Sequence, residues 1–151
     1  MRDKRFIAEH RCGLLTEENH KQLILWACKC VENVFPSSIS KVDERLINSI
    51  LTEKKWAKDC ASVGDARNAS IDAIAVANEL IKRLEITIAQ AVAHAVTTAH
   101  MADHSLRAAE YALKAIKLSG KLIDDERKFQ DKCLSFDITE LVLSARKKTN
   151  E

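Results

Sequence analysis

The chain has 151 residues, of which 46% are hydrophobic and 30% charged, a globular rather than a disordered composition. It contains three glycines and one proline, and this shortage of turn-forming residues disfavours an all-β fold. The 24 basic and 22 acidic residues give a formal net charge of +2, too balanced to indicate nucleic acid or an anionic membrane as a partner.

Length and cysteine usage bear on domain organisation and compartment. A chain of this length fits one domain, residues 1–151, with a hydrophobic core large enough to fold without stabilising disulfides or metal ions. The five cysteines are an odd number, and the N-terminus has no apolar signal-like stretch, so we expect a cytoplasmic protein with reduced thiols. The longest uncharged stretch, residues 86–102, is shorter than the ~20 apolar residues of a membrane span.

Apolar residues recur at helical spacing along most of the chain. The first helix, over residues 3–10, is short, and Gly13 after it is a candidate left-handed cap. Thr16 is expected to cap the second helix, which Pro36 stops before a loop at residues 37–40.

The next two helices are separated by a break at residues 62–64. Asp43 begins the third helix, and Asp65 can cap the fourth, which is expected to bend near residues 83–85. The pattern assigns the fourth helix a packing face made of Ile71, Ile74, Ala75, Asn78, Leu80 and Ile81.

The central stretch, residues 86–118, is dense in alanine and carries three of the five histidines. A helix with alanine on nearly every side has no natural solvent face, so we expect it to be buried. As one straight helix it would be ~50 Å long, against a radius of gyration of ~15 Å for a domain of this size. We therefore predict a break at Asp103, whose carboxylate could cap a helix over residues 104–119 that ends at Gly120.

Two further helices are expected at residues 123–134 and 138–145, with a frayed tail at 146–151. Trp26 and Trp56 have apolar neighbours at helical spacing and are expected to anchor the core. The fold class is all-α: a single-domain bundle of about seven helices with a buried alanine-rich central helix pair.

The first candidate polar site is His100, Asp103 and His104. Two imidazoles four residues apart on a helix lie one turn from each other and can hold one metal, with the aspartate joining or orienting them. On a straight helix His94 faces about 120° away from His100 and does not belong to the set. The alternative is a pair of core histidines bonded to carbonyls or carboxylates, and since no zinc motif supplies further ligands, we predict no metal.

The second candidate is Glu9, His10 and Arg11. These groups could bind an anion or perform acid–base work, or they could form the polar surface of a short helix. The sequence has no nucleophile elbow and no glycine-rich phosphate loop, so we predict no catalytic residue and no cofactor.

Several segments, in the same order, resemble a family of small bacterial proteins known as putative immunity proteins, the immunity-5-like group of polymorphic toxin systems. The matching strings are RFIAEHRCGLLTEENHKQLILWACKC from Arg5, VGDARNAS from Val63, AHAVTTAHMADHSLRAAEYALKA from Ala93, and ERKFQ and TELVLSAR near the end. The family more usually has two glycines where this chain has Cys12 and Gly13.

The resemblance implies an all-helical cytosolic protein, without catalysis, that binds and neutralises a toxin protein. Because the matching strings centre on His10, His100, Asp103 and His104, it also points to a shared polar site there. Two other functions stay open on the residues alone: a helical metal-dependent hydrolase using the His/Asp cluster, and a helical scaffold that assembles into oligomers. The oligomeric state and the toxin are not determined by the sequence.

Overall fold

A computed structural model describes residues 3–35, 42–59, 63–79 and 83–149. These residues form seven α-helices and no β-strand, which confirms the expected all-α class. None of these helices is long and apolar enough to cross a membrane. The predicted features at Pro36, residues 37–40, Ser62, Leu80, Ile81 and residues 150–151 lie outside the described residues. The helices are α1 (Glu17–Glu32), α2 (Glu44–Ala57), α3 (Val63–Glu79), α4 (Arg83–Thr97), α5 (His104–Leu118), α6 (Ile123–Lys132) and α7 (Phe136–Thr149).

Three helix ends follow from local hydrogen bonding. The Thr16 hydroxyl accepts a hydrogen bond from the Asn19 amide at the start of α1, and the Asp43 carboxylate accepts one from the Arg45 amide at the start of α2. Gly120 ends α5 with a φ of +77°, a left-handed conformation that glycine adopts at little cost. The cap at Thr16 and the end at Gly120 were predicted from the sequence, and Asp43, predicted to begin its helix, is the cap just before it.

The N-terminal segment is not the short helix that we expected over residues 3–10. It forms two 3-10 turns, Lys4–Phe6 and Glu9–Arg11, and Ala8 then forms an isolated bridge with Leu15. The left-handed residue is Cys12, with a φ of 63°, rather than Gly13. Gly13 is required for another reason: a Cβ there would lie 1.9 Å from the carbonyl oxygen of Ile7. The segment therefore folds back on itself against the start of α1.

Helix α1 is buried on two faces. Ile24, Ala27, Cys28 and Val31 enter one hydrophobic cluster with α2, α3 and α4. Leu23, Trp26 and Cys30 enter a second cluster with the N-terminal segment and residues of α5 and α7. Cys28 and Cys30 thus point to different sides, as two-residue spacing on a helix predicts.

Helix α4 is the other buried centre of the bundle, packing against α1, α2, α3 and α5. Small side chains let these helices approach closely, since interaxial distance depends on the residues at the contact. The expected buried alanine-rich pair, α4 and α5, is confirmed by the fully buried alanines Ala89, Ala91, Ala95, Ala108, Ala109 and Ala112.

The packing face predicted for the fourth helix of the sequence analysis, which is α3 in the structure, is wrong. Ile71 and Ile74 are 58% and 49% exposed. The close neighbours α2 and α4 leave room only for small residues on the packed face, which is formed by Ala66, Ala69, Ala73 and Val76. Asp65 lies in the first turn of this helix, which begins at Val63, and not at its cap.

The central stretch is broken, as its length required. Helix α4 ends at Thr97 and α5 begins at His104, with a connector over residues 98–103. The predicted start of α5 is confirmed, but the Asp103 side chain makes no capping hydrogen bond to it. Helix α7 continues to Thr149, so the fraying expected from residue 146 is not seen up to that point.

The two tryptophans differ in burial. Trp26 is 1% exposed and donates a hydrogen bond from Nε1 to the carbonyl oxygen of Gln130 at 2.8 Å, which confirms its role as a core anchor. Trp56 is only half-buried and packs against the edge of the first cluster.

The substitution Gly13→Ala should destabilise the protein by about 1–3 kcal/mol or more, because the new Cβ would overlap a backbone carbonyl that has no room to move. Gly120→Ala is the matched control: its φ is unfavourable for alanine, but no atom lies within 4 Å of the new Cβ, so the cost should be about 1 kcal/mol. Urea unfolding of the three proteins measures both values. A Gly13→Ala variant as stable as the parent would contradict the folded-back segment.

Candidate functional site

The connector at residues 98–103 brings together two histidines from the helices on either side of it. Nδ1 of His94 lies 3.0 Å from Nδ1 of His104, and their ring centroids are 5.1 Å apart. One nitrogen must donate and the other accept, so the contact fits one N–H placed between the two Nδ1 atoms. The His94 ring also stacks on Tyr111 at 4.8 Å, and the Lys114 ammonium lies 4.5 Å from the centre of the Tyr111 ring.

The pKa of His94 is lowered to about 4, chiefly by burial and then by the neighbouring His104, Arg107 and Lys114. The ring is therefore neutral at physiological pH. A proton added to the accepting Nδ1 of the His94–His104 contact would place two N–H groups against each other. His94, which a straight helix would have kept out of the site, enters it because the helix is broken.

A groove of about 810 Å³ runs beside this pair, between the N-terminal segment, α5 and α7. We call it the α5 groove. His104 and Tyr111 contribute to the lining of the groove. Its charged lining residues are three acidic and three basic ones, so their formal charges cancel: Asp3, Asp103, Glu110, Arg107, Lys114 and Lys148.

A second polar cluster contacts the same connector through His20. This residue is 4% exposed, and its Nε2 lies 2.6 Å from the carbonyl oxygen of Thr98. A carbonyl can only accept, so Nε2 carries the hydrogen and Nδ1 of the neutral ring is an acceptor. The pKa of His20 is lowered by burial and, secondarily, by the nearby His10 and His100.

Beside His20 lies a pocket of about 230 Å³ between the N-terminal segment, α1 and α2. We call it the N-terminal pocket. Its polar lining comes from Glu9, His10, Glu17 and His20, and its aromatic lining from Trp56. The ring of His20 meets that of Trp56 edge-on, with centroids 5.4 Å apart.

The residues of the second predicted candidate are divided. Glu9 and His10 line the N-terminal pocket, whereas Arg11 is exposed and outside its lining. Arg11 is still close enough to His100 to lower its pKa, after the larger effects of burial and of Arg67. His100 is half-buried, and its Nε2 has no hydrogen-bond partner among the described residues. The hydrogen bond to a carbonyl oxygen that the sequence analysis considered for His100 is thus made by a different histidine, His20.

The first predicted candidate is divided as well. Asp103 and His104 line the α5 groove, whereas His100 lies within electrostatic range of His20. Within the described residues, no group of three or more His, Cys, Asp or Glu side chains is placed to hold a metal ion. The role of the six predicted residues thus stays a prediction. Two of them line the N-terminal pocket, two line the α5 groove, and Arg11 and His100 line neither.

Sequence reasoning missed His20, Trp56 and Tyr111 as members of these clusters. A signal existed for His20, which lies three residues before Leu23 on the apolar stripe of α1. No local pattern could place Trp56 beside Glu9, because α2 must first pack against α1.

Glu53 is a further group that the sequence did not flag. Its side chain is fully buried, and neither carboxyl oxygen has a hydrogen-bond partner among the described residues. Burial raises the pKa of Glu53 to about 9, weakly opposed by the Ala99 amide, whose geometry falls short of a hydrogen bond. The carboxyl is therefore protonated at neutral pH, inside the cluster that also buries Cys28.

These features define a small all-helical protein with two polar clusters at one helix break. Residues 13–135, most of the chain, match the family described as Imm-5 like putative immunity protein, and the chain belongs to this family. The match confirms the resemblance carried by the sequence motifs. Neither the curated proteins nor the solved structures contain a significant match.

Acidification should destabilise the protein through His94. Below pH 6.5 an unfolded His94 takes up a proton, whereas the folded one resists until the pH is about 4, so falling pH favours the unfolded state across this window. The variant His94→Phe keeps an aromatic ring beside Tyr111 but cannot titrate. Urea unfolding at about pH 7 and about pH 4.5 should show a smaller loss of stability in the variant than in the parent; equal losses would refute the assignment.

The substitution Glu53→Met should stabilise the protein, and more so as the pH rises. Between about pH 4.5 and about pH 9 the folded state keeps a proton that unfolded Glu53 has lost, so rising pH favours unfolding by up to about 1.4 kcal/mol per pH unit. Glu44→Met, at an exposed acidic residue in the first turn of the same helix, is the control. The stability difference between Glu53→Met and the parent, from urea unfolding at about pH 5 and about pH 8, should widen with pH, and a constant difference would disprove the buried neutral carboxyl.

Proposed function

We propose that this protein is a cytoplasmic immunity protein that binds a cognate bacterial toxin. It neutralises the toxin by covering the surface through which the toxin acts, without catalysing a reaction. The observation that carries the proposal is membership of the Imm-5 like family over residues 13–135. The absence of a strong net charge means that affinity has to come from shape and buried anchors more than from long-range attraction.

The surface is large enough for such an interface. A stable inhibitory complex takes about 800 Å² from each partner, roughly a tenth of the 8905 Å² surface of this protein. Interface hot spots are most often aromatic or arginine side chains, and one aromatic residue, Phe136, is 94% exposed. Leu14 and Leu122, at 75% and 72%, add exposed apolar surface.

The thiols support an intracellular site of action. The described cysteines, Cys12, Cys28, Cys30 and Cys133, are all free. Reduced cysteines are the ordinary state in the cytosol, where disulfides are rare. Cytoplasm is also where an immunity protein meets a toxin that attacks the cell's own interior.

Stoichiometry separates occlusion from catalysis. A toxin-like protein, sought first among the products of the neighbouring genes, is purified, and its activity is titrated with increasing amounts of this protein. Occlusion predicts a linear fall in toxin activity to near zero at one equivalent, together with a 1:1 complex in size-exclusion chromatography. The control is the same toxin with a fully denatured sample of this protein.

Inactivation by a small fraction of one equivalent would contradict occlusion and favour an enzyme acting on the toxin. Such a result would return the hydrolase alternative, whose metal dependence a chelator would reveal. Full toxin activity at several equivalents would end the immunity proposal for that toxin. A homo-oligomer with no affinity for the toxin would instead support the scaffold alternative.

A further inference from the structure

The N-terminal pocket has an acceptor-rich lining that the proposed function does not explain. Glu9 and Glu17 are exposed carboxylates at its rim, and the side chain of Glu17 is 68% accessible. Glu9 accepts a long hydrogen bond, 3.3 Å, from the Glu17 amide and so keeps lone pairs available. Two carboxylates beside one concave pocket favour a positively charged occupant.

The buried side of the pocket is also an acceptor. His20 is 96% buried, and because its Nε2 donates to the Thr98 carbonyl, the remaining polar atom of the neutral ring is the Nδ1 lone pair. Among the described residues, the His20 side chain makes no other hydrogen bond. An imidazole fixed in this tautomer can receive an N–H but cannot supply one to an anion.

Trp56 gives the pocket an aromatic wall, with the apolar Leu15 and Ala8 beside it. An indole is the best natural partner for a cation, and arginine uses it most often because its planar guanidinium stacks on the ring. The volume of about 230 Å³ is below the range of ~300–1,000 Å³ typical of small-molecule sites, so it suits a single side chain better than a cofactor.

One lysine of the chain, Lys21, contacts a carboxylate at the rim of the pocket, but it is bonded more closely to another residue. The ammonium group of Lys21 forms two ion pairs, at 2.8 Å with the Asp59 carboxylate and at 3.5 Å with that of Glu17. The shorter and therefore stronger of the two is the one with Asp59. Lys21 is not part of the pocket lining. Among the described residues, no lysine or arginine lines the pocket, and Lys21 pairs with Glu17 only from outside it.

We propose that the N-terminal pocket receives an arginine side chain of the toxin, whose guanidinium lies against Trp56 and donates hydrogen bonds to Glu9, Glu17 and Nδ1 of His20. This inference rests on the proposed function and names the contact by which it would operate. The sequence suggested an anion as the ligand of Glu9 and His10. The structure favours a cation instead, because Arg11 lies outside the pocket and Glu17 lines it.

The first test uses the protein alone and the probe N-acetylarginine methylamide, with the neutral isostere N-acetylcitrulline methylamide as control. The indole N–H signals of Trp56 and Trp26 are followed by NMR during titration. The arginine probe should shift the Trp56 signal and leave that of Trp26, whose N–H is held by Gln130 in the core, unchanged. Equal shifts with both probes, or none at Trp56, would overturn the inference.

The second test measures toxin affinity for the double variant Glu9→Gln/Glu17→Gln. Glutamine keeps the acceptor for the Glu17 amide and removes only the charge, so the fold should be retained. Affinity should fall about tenfold or more, in line with the loss of an interfacial charge pair. The matched control, Glu18→Gln/Glu44→Gln, removes the same charge from two exposed first-turn residues outside the lining and should bind like the parent.

A double-mutant cycle identifies the arginine. For one arginine of the toxin, substitution by alanine should cost affinity in the parent complex and nothing further in the double variant. If the parent binds the toxin and the double variant binds it equally well, the arginine contact is refuted while the proposed function stands. If the parent does not bind the toxin at all, the proposed function fails and this inference fails with it.

Discussion

Helix α1 has to satisfy two hydrophobic clusters at once, and the rest of the structure depends on that constraint. Its residues at positions 24, 27, 28 and 31 face one cluster, and those at 23, 26 and 30 face the other. Trp26 ties the second cluster to α6 through its bond to the Gln130 carbonyl, and the Arg146 guanidinium of α7 lies 5.2 Å from its ring centre. The first turns of α1 lie outside both clusters and carry the polar residues Glu17 and His20.

Those first turns position the polar chemistry. A chain that leaves a helix inside a domain exposes carbonyl groups that need donors, and His20 supplies one to Thr98 where α4 has just ended. The same break turns α5 back on α4, so that His104 and Tyr111 of α5 both contact His94. One interruption in an alanine-rich helix therefore creates both polar clusters, one against α1 and the other against α5.

The two clusters suit different tasks. His94 is neutral, stacked on Tyr111 and partly buried, and its partner His104 lines a groove whose charges cancel, which suits a structural junction. The N-terminal pocket combines exposed carboxylates with an aromatic wall, which suits the recognition role that we propose for it. In an immunity protein of near-neutral charge, such a local acidic pocket would supply the specificity that the overall field does not.

The sequence by itself determined the features that depend on neighbours along the chain. Short-range hydrogen bonding sets the helix ends at Thr16, Asp43 and Gly120, and local motifs identify the family. The break before α5 follows from the length of the central stretch. Only the tertiary structure decided which face of α3 is buried, because the choice between Ile71 and Ala73 depends on how closely α2 and α4 approach. It alone also decided that Trp56 joins Glu9 and that His94 meets His104, since packing between distant segments and the direction of the chain after a break are not encoded in any local period.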